Sequence, residues 1–437
     1  MATAEQAENG LTRQQYYPLE RRRFVVLGLL WMIEFLFWSA WFIQAPLLVP
    51  FWGIRDHVAF DQAVWLMTGV DIAAIFTSFL SGYIYDRLGP RNGVALILAI
   101  VTVGFGLRPL ATHSFSWMLA LSIIAGAGLP IQAAPPAVIS QWFGHHRMAF
   151  PLGVVMSAFA VGQTVGLVAG FTLVSDLGAV WAFSVFSLAL IFFLIAWLVL
   201  VPRAPRSPAG PPGAQLPPLR QALPRMARAN GSWTFFVVGT VYAGIAVFAT
   251  SFLPGVLGKT FGLTPAQAGS SVAVYPALEI PGMLVIGYAA ARSARIRTHG
   301  FRTAAVQLFL WLAFILTWWA GVQPLALALV LVGAIGFFYL PCFTFGLVSM
   351  ERLGSVGAET AGIAAGFYFT GVSLGGYVLP TALAAIGDAA GPGGGFIGLL
   401  ALVAIGVVVW AASLSGRRRP AAVTAAATHS APRASAP

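Results

Sequence analysis

The sequence predicts an all-α membrane protein with twelve transmembrane helices, arranged in two pseudo-symmetric halves of six. Composition, the spacing of apolar stretches and a weak internal repeat support this prediction. The 437-residue chain is 59% hydrophobic and only 8% charged, with a mean hydropathy of +0.84. Soluble domains carry about 25% charged residues, so a fold surrounded by water is excluded. The single cysteine, Cys342, excludes an internal disulfide and a cysteine-based metal site.

Twelve apolar stretches, spans 1 to 12, approach or exceed the roughly 20 residues that a helix needs to cross a bilayer. They are continuous rather than alternating, which favours helices over strands. Span 1 follows a polar tail ending in Arg21, Arg22 and Arg23 and is too long for a cleavable signal peptide. The stretches are 24–50, 63–84, 92–112, 116–141, 148–172, 179–201, 233–255, 267–290, 302–321, 325–349, 358–384 and 395–415.

The distribution of basic residues predicts the orientation. All of them except Arg55, Arg108 and Lys259 lie before span 1, after span 12, or in the loops that follow even-numbered spans. Lys and Arg mark cytoplasmic loops, so we expect both termini in the cytoplasm and the protein in a bacterial inner membrane. Because these residues occupy seven short segments, the net charge of +11 indicates topology and not a nucleic-acid partner.

A Pro-rich basic segment divides the chain. Residues 202–231 lack apolar periodicity, which is typical of a cytoplasmic linker. We therefore predict an N-terminal tail at 1–23, one six-helix half at 24–201, the linker, and a second half at 232–415. Residues 416–437 are Ala-, Pro-, Thr- and Ser-rich and predict a disordered cytoplasmic tail.

The two halves repeat each other weakly. Glycines and a proline recur at a nearly constant spacing of about 206 residues. Two halves in the same orientation, joined by a long loop, are typical of transporters that rock around a central site. The matching pairs are Gly82/Gly287, Gly126/Gly333, Pro135/Pro341, Gly162/Gly371 and Gly166/Gly375.

The loop between spans 2 and 3 carries the pattern G-x-x-x-D-R-x-G-x-R, at Gly82, Asp86, Arg87, Gly89 and Arg91. This pattern resembles the loop signature of the major facilitator superfamily, and the resemblance extends over about residues 24–415. It implies the fold of that family, secondary transport by alternating access, and a gating role for the five residues. The alternative is that the motif only supplies positive charge to a short turn.

Spans 4 and 5 resemble facilitators that carry anions and organic acids. The resemblance lies in Gly126, Pro130, Pro135, Pro136, Trp142, Phe143, Arg147 and Gly153. Ser122 stands where proton antiporters of the family have Arg, and Leu167 follows Gly166 where exporters have Pro. These departures argue against a proton antiporter or drug exporter, so we favour an organic-acid transporter. Two alternatives stay open: an exporter of lipophilic cations, and a membrane sensor or scaffold that does not transport.

Three acids fall deep inside predicted spans. Counted from the cytoplasmic end at 1.5 Å per residue, Glu34 lies about 16 Å deep, Asp71 about 22 Å and Glu279 about 20 Å. An ionisable group at mid-membrane costs about 2.5–3.5 kcal/mol on insertion scales. We therefore predict that these residues bind substrate or couple transport to protons. A carboxyl buried without a cation favours its protonated form, which suits a group that takes up and releases a proton.

Each acid also has a structural alternative. Arg108 lies about 25 Å up span 3, near the height of Asp71, so an Asp71–Arg108 pair could hold spans 2 and 3 together. Glu279 lies between Pro276 and Pro281, where freed backbone groups could use a carboxyl. Glu34 lies near three tryptophans and no basic residue.

Further polar residues complete the predicted site. Gln132 and Tyr339 are candidates for substrate contact, and others are Gln44, Gln163, Tyr242, Tyr275 and Tyr368. No motif for nucleotide binding, serine catalysis or metal ligation appears, so we expect no enzyme activity, cofactor or metal. The expected partners are a small organic solute, protons and the lipid bilayer, and we expect a monomer.

The predicted topology has a direct test. A reporter enzyme that is active only outside the cytoplasm, fused after Gly416 or inserted within 207–218, should be inactive, because both positions are predicted to be cytoplasmic. The measurement is reporter activity in intact cells, with a fusion after His57 as the active control. Activity at either of the first two positions would contradict the twelve-span topology.

Overall fold

The computed structural model describes residues 13–143, 149–202, 219–291, 295–321, 324–353 and 361–415. Every regular element within these ranges is a helix. Before the linker the helices are Arg13–Phe42, Ala45–Leu47, Leu48–Arg55, Phe60–Ala63, Trp65–Thr77, Ser78–Leu80, Ser81–Gly106, Arg108–Ala111, Phe115–Gly126, Leu129–Ala133, Ala134–Phe143, Ala149–Leu177 and Ala179–Leu200. From the linker onwards they are Leu219–Arg228, Ser232–Phe261, Pro265–Val272, Val274–Ala291, Ile296–Trp319, Leu325–Glu351 and Ala361–Ser415.

Ten described helices are long and apolar enough to cross a bilayer. Span 2 is represented by the shorter apolar helix Trp65–Leu80. The last candidate, Ile363–Leu414, has 52 residues. At 1.5 Å per residue it would be about 78 Å long, more than twice the hydrocarbon thickness of a bilayer. It therefore has room for both span 11 and span 12, and the helices agree with the predicted twelve spans.

Glycine–proline pairs divide two of the longer helical segments. Gly89 has φ 74° and ψ 152°, and Gly391 has φ 75° and ψ 177°. Glycine adopts positive φ without the steric cost that a Cβ imposes. Pro90 and Pro392 follow, and proline suits the first position of a helix because its N–H would have no partner there. Gly89 thus makes the turn predicted between spans 2 and 3, and Gly391 separates spans 11 and 12.

The repeated glycines of spans 5 and 11 occupy equivalent contacts. In the first half, a Cβ on Gly162 would lie 2.7 Å from the carbonyl oxygen of Phe35 in span 1. In the second half, a Cβ on Gly371 would lie 2.6 Å from the carbonyl oxygen of Phe236 in span 7. Small residues let helix backbones approach closely in a membrane. The sequence repeat therefore corresponds to the same helix pair, 1 with 5 and 7 with 11.

A second helix pair is repeated in the same way. Gly126 of span 4 faces Val70 of span 2, where an added Cβ would lie 1.7 Å from the carbonyl oxygen. Gly336 of span 10 faces Tyr275 of span 8, and the corresponding distance is 2.0 Å. Spans 4 and 2 in the first half thus pack as spans 10 and 8 do in the second.

The two halves meet where span 2 packs on span 11 and span 5 packs on span 8. At the end away from the arginine-rich loops, the rings of Phe60 and Phe252 lie 6.0 Å apart. At the same end the backbone N–H of Asp61 donates to Asp388 Oδ2 at 3.0 Å. The halves are therefore in direct contact at this end of the molecule.

The polarity of the surface is that of a protein surrounded by lipid. Large apolar side chains are exposed around the helices, among them Leu110 at 83%, Val199 at 74% and Phe76 at 72%. Polar and charged side chains are instead buried between the helices, among them Gln44, Gln163 and Gln307. Exposed apolar area on this scale marks contact with a non-aqueous phase. The protein is an integral membrane protein.

The helix contact at Gly126 predicts a measurable loss of stability. Gly126→Ala should lower the apparent Tm in detergent, because the added methyl meets the backbone of Val70 and forces spans 2 and 4 apart. Overpacking of this kind costs roughly 1–3 kcal/mol. Gly153→Ala is the matched control, since a Cβ there has no neighbour within 4 Å. Equal apparent Tm values for the two variants would contradict the assigned contact.

Candidate functional site

The three predicted acids are all buried in the interior of the helix bundle. Glu34 is 3% exposed, Asp71 is 2% exposed and Glu279 is fully buried. Each has at least one carboxylate oxygen without a hydrogen-bond partner. Unpartnered buried carboxyls are expensive for the fold. Their presence on spans 1, 2 and 8 therefore points to a role in function.

Glu34 lies in an aromatic environment on span 1. The indole N–H of Trp38 donates to Glu34 Oε2 at 3.3 Å, one helical turn away, and Oε1 has no partner. Tyr85, which directly follows span 2, lies within electrostatic range of Glu34, and its hydroxyl donates to the carbonyl oxygen of Pro130 at 2.9 Å. Of the three nearby tryptophans, only Trp38 donates a hydrogen bond to Glu34. The side chains of Trp31 and Trp41 bond to Ser157 and to the Met67 carbonyl instead.

Asp71 lies at the contact between the two halves. Its carboxylate packs against Gly376 of span 11, where a Cβ would lie 2.5 Å from Asp71 Oδ2. Gly69, two residues earlier, faces Ser122 and Leu119 of span 4. Residues two apart on a helix point in nearly opposite directions, since each residue turns the helix by about 100°. Asp71 therefore points away from span 4 and towards the second half.

Arg108 is buried on the other side of span 2 and does not pair with Asp71. Its guanidinium donates to the carbonyl oxygen of Ala40, donates to Ser122 Oγ at 2.9 Å, and lies 4.2 Å from the ring centre of Phe105. Among the described residues, no carboxylate lies within salt-bridge distance of it. The structure thus decides against the Asp71–Arg108 alternative. Similar height along two helices did not bring the side chains together, because they point to different neighbours.

Glu279 is the acid with the fewest partners, because neither of its oxygens accepts a hydrogen bond. Pro276 lies in the first turn of Val274–Ala291, where a proline removes no helical hydrogen bond. Only Pro281 lies inside the helix, and Glu279 does not fill the gap it leaves. The proposed structural use of Glu279 as a backbone partner is therefore absent from this conformation.

Tyr275 of span 8 and Tyr339 of span 10 lie near this acid, and Tyr242 of span 7 lies next to Tyr339. The ring of Tyr339 lies 5.6 Å from that of Tyr275 and 6.4 Å from that of Tyr242. The hydroxyls of Tyr275 and Tyr242 are buried without a partner. Tyr339 lies within electrostatic range of both Glu279 and Asp71, and so connects the acids of the two halves. Gln132 lies apart from this cluster, half-buried on Leu129–Ala133 in span 4.

The loop motif is described in part. Arg91 donates to the carbonyl oxygens of Val201 and Leu198, and the indole of Trp197 donates to the Arg91 carbonyl at 2.9 Å. A cation at the C-terminus of a helix satisfies carbonyls that have no helical partner. Arg91 therefore joins the start of span 3 to the end of span 6. The surroundings of Gly82 and the side chain of Asp86 lie outside what the structure describes, and so does the whole of Arg147.

The sequence also left a neighbour of Asp71 undetected. Gly376 was not among the candidates, although it forms the wall against which Asp71 packs. A signal was present, because Gly375 and Gly376 are adjacent in the middle of span 11. Gly375 belongs to the predicted repeat and contacts Thr240 of span 7. Gly376 has no counterpart in that repeat, and it faces Asp71 of span 2 instead of span 7.

Comparison with known proteins identifies the class. The family model described as Major Facilitator Superfamily matches residues 30–358. The chain belongs to the major facilitator superfamily, whose members are transporters and not enzymes. Among curated proteins, an uncharacterized MFS-type transporter of Mycobacterium tuberculosis is 27% identical over 156 residues, which is 35% of this chain and 26% of that protein.

A plant protein named probable anion transporter 4, chloroplastic, from Arabidopsis thaliana is 29% identical over 141 residues, 30% of this chain and 26% of that protein. The chain thus spans about a quarter of the length of these relatives. Among solved structures, a bacterial homolog of the lysosomal transporter Spinster, inward-facing and unoccupied, has a TM-score of 0.66 at 15% identity and covers 90% of this chain and 96% of its own. A D-xylose–proton symporter has a TM-score of 0.65 at 15% identity, covering 89% and 97%. These structures share the fold.

The contacts of Arg108 predict which neighbouring variants lose stability. Ser122→Ala should destabilise the protein by roughly 1–3 kcal/mol, because it leaves a buried guanidinium N–H without an acceptor. Asp71→Asn should leave the apparent Tm close to that of the native protein, since Arg108 does not contact Asp71. The measurement is thermal unfolding in detergent followed by tryptophan fluorescence. A loss in Asp71→Asn as large as that in Ser122→Ala would restore the Asp71–Arg108 pair.

Proposed function

We propose that the protein is a proton-coupled secondary transporter that moves a small organic solute across the membrane by alternating access. The observation that carries the proposal is the set of three buried carboxyls, Glu34, Asp71 and Glu279, with unpartnered oxygens and no salt-bridge partner among the described residues. An ionised carboxylate in this environment is costly, and a neutral one is not. A group that is neutral when buried and ionised when open to water takes up and releases a proton as the halves move.

The favoured substrate class is an organic acid or anion. The likeness of spans 4 and 5 to anion facilitators supports it, as do relatives that are named probable anion transporters. Neutral carboxyls do not repel an anion, and a proton moving with it offsets its charge. Gln132 and Tyr339 are the proposed hydrogen-bond donors to such a solute. Arg108 is committed to Ala40 and Ser122, so we assign it to the framework of the site.

The second candidate is export of lipophilic or organic cations. The observation in its favour is that acids and aromatic rings line the centre of the molecule, including Trp38 beside Glu34 and Tyr339 near Glu279. Aromatic faces and carboxylates both attract organic cations. In this case the cation and protons would compete for the same carboxyls, and the direction of proton movement would be opposite to that of the solute.

We place both termini in the cytoplasm of a bacterial cell and assign gating to the loop motif. The seven basic segments support this orientation. Arg91 fixes the position of this loop at the arginine-rich end, because it bonds the start of span 3 to the end of span 6 within the first half. Asp86 and Arg87 are proposed to act at the same turn. The halves at 24–201 and 232–415 would move as units about the linker at 202–231.

Proton coupling is tested by neutralising Glu34 and Glu279, the two acids for which the sequence offers no basic partner. At least one of Glu34→Gln and Glu279→Gln should abolish accumulation driven by a proton gradient while retaining exchange, because Gln mimics the protonated form permanently. The measurement is uptake into proteoliposomes, with and without a pH gradient, of radiolabelled carboxylates and of tetraphenylphosphonium. Glu351→Gln is the control, an acid-to-amide change at the end of span 10.

The outcome separates the candidates. Gradient-driven accumulation of a carboxylate that is lost in a Gln variant supports organic-acid symport. Gradient-driven efflux of tetraphenylphosphonium that is lost in the same variants supports the cation exporter. If both Gln variants respond to the pH gradient as the native protein does, neither Glu34 nor Glu279 couples transport to protons.

A further inference from the structure

The interface between spans 2 and 11 includes a row of small and polar contacts. Because span 2 belongs to the first half and span 11 to the second, these contacts must form and break if the halves move. From the arginine-poor end inwards, they are Asp61 N–H to Asp388 Oδ2 at 3.0 Å, Thr68 Oγ1 to Thr381 Oγ1 at 3.4 Å, Asp71 against Gly376, and Ser78 Oγ to Ser373 Oγ at 3.4 Å.

Gly376 fits Asp71 closely. A Cβ at position 376 would lie 2.5 Å from Oδ2 and 2.7 Å from Cγ of Asp71, so any side chain there would displace the carboxyl. The neighbouring Gly375 has a different role, since its Cβ would meet the backbone of Thr240 within the same half. The three heavy atoms nearest to the Cβ at position 376 all belong to the carboxyl group of Asp71, a residue of the other half.

The charge of Asp71 is not compensated in this contact. Asp71 is the one ionisable residue of Trp65–Thr77, and Phe115–Gly126, which packs on that helix, contains none. Tyr339 of span 10 lies within electrostatic range of it. Span 11 contributes Tyr368 and Tyr377, with Asp388 beyond its end, and span 7 contributes Tyr242, with Lys259 beyond its end. Among the described residues, no cation therefore faces the carboxyl. The closed interface would hold an ionised Asp71 only at high cost.

We propose that Gly376 is the positioning residue that receives the neutral side chain of Asp71, so that spans 2 and 11 close on each other only while Asp71 carries a proton. Ionisation of Asp71 then favours separation of the two spans, which admits water to the carboxylate. The inference rests on the proposed proton-coupled transport and names the residue pair at which protonation is linked to movement of the halves.

The test measures closure directly and needs neither substrate nor transport. Thr68→Cys and Thr381→Cys place two thiols at the 3.4 Å contact, three residues from Asp71 on span 2. A protease site inserted within 207–218 lets a gel distinguish cross-linked from separated halves. Oxidative cross-linking is followed in proteoliposomes from about pH 5 to about pH 9. Cys342 is fully buried and stays in place, and each single-cysteine variant serves as a blank.

The decisive quantity is the cross-linking rate with Asp71 divided by the rate with Asp71→Asn at the same pH, because the ratio cancels the pH dependence of the thiols. We expect this ratio to fall about tenfold or more as Asp71 ionises, since Asn cannot ionise. A ratio that stays constant over the whole range would overturn the link between protonation and closure.

Gly376→Ala tests the second half of the proposal. It should slow cross-linking at every pH, and adding Asp71→Ala should restore the rate, because the methyl then has no carboxyl to meet. Gly153→Ala, with open space around its Cβ, should leave the rate unchanged. Native-rate cross-linking in Gly376→Ala would overturn its positioning role. If the variant fails to fold, as judged by size-exclusion chromatography, the Asp71→Asn comparison still decides the proposal.

The two proposals fail in different ways. If cross-linking shows the pH dependence through Asp71 but no solute moves with a proton gradient, proton-coupled transport fails and the closure mechanism stands. If gradient-driven transport is measured but the Asp71 ratio is flat, transport stands and this inference fails.

Discussion

Close approach of helix backbones at glycine is the constraint on which this structure depends. Lipid supplies no hydrophobic force between helices, so their association relies on packing contacts and hydrogen bonds. At Gly126, Gly336 and Gly375 an added Cβ would lie 2.0 Å or less from a carbonyl oxygen of the neighbouring helix. No other residue allows these helices their present separation. The glycines thus allow spans 2 and 4, 8 and 10, and 7 and 11 to pack closely within each half.

The packing of the halves leaves the buried acids in different positions relative to the contact between the halves. Glu34 lies within the first half and Glu279 within the second, while Asp71 lies at the contact between them. Buried groups inside one half keep their neighbours during a rigid-body movement, whereas a group at the interface changes its neighbours. The distinction gives the three acids different possible roles in one cycle. It also explains why Arg108, bonded to Ala40 and Ser122 of its own half, belongs to the framework.

The sequence predicted the secondary structure and the repeat well because both follow from local or periodic signals. Apolar stretches of the right length become helices in lipid, where backbone groups must bond within their own segment. A short loop was predicted between spans 2 and 3, and the positive φ of Gly89 forms a turn there. The matches of Gly162 with Gly371 and of Gly126 with the Gly333 region corresponded to repeated helix pairs. The three acids that were predicted inside the spans are all buried.

The direction in which each side chain points could not be predicted from the sequence. Asp71 and Arg108 lie at similar heights, which suggested a pair, but rotation about two helix axes turns them to different neighbours. The proline spacing around Glu279 suggested a hydrogen bond to freed backbone groups, which the Glu279 carboxyl does not make. Gly376 could not be recognised as the neighbour of Asp71, because the two residues are far apart in the chain and meet only when the halves pack.

The amino-acid sequence by itself thus determined that the chain spans a membrane as helices in two related halves, with three acids inside its spans. These properties depend on hydrophobicity, helix rise and charge placement, which are readable residue by residue. Only the tertiary structure decided which acids have partners, that Arg108 serves the framework, and that Asp71 closes against Gly376. Those outcomes depend on the rotation and contact of helices distant in sequence, and no local pattern specifies them.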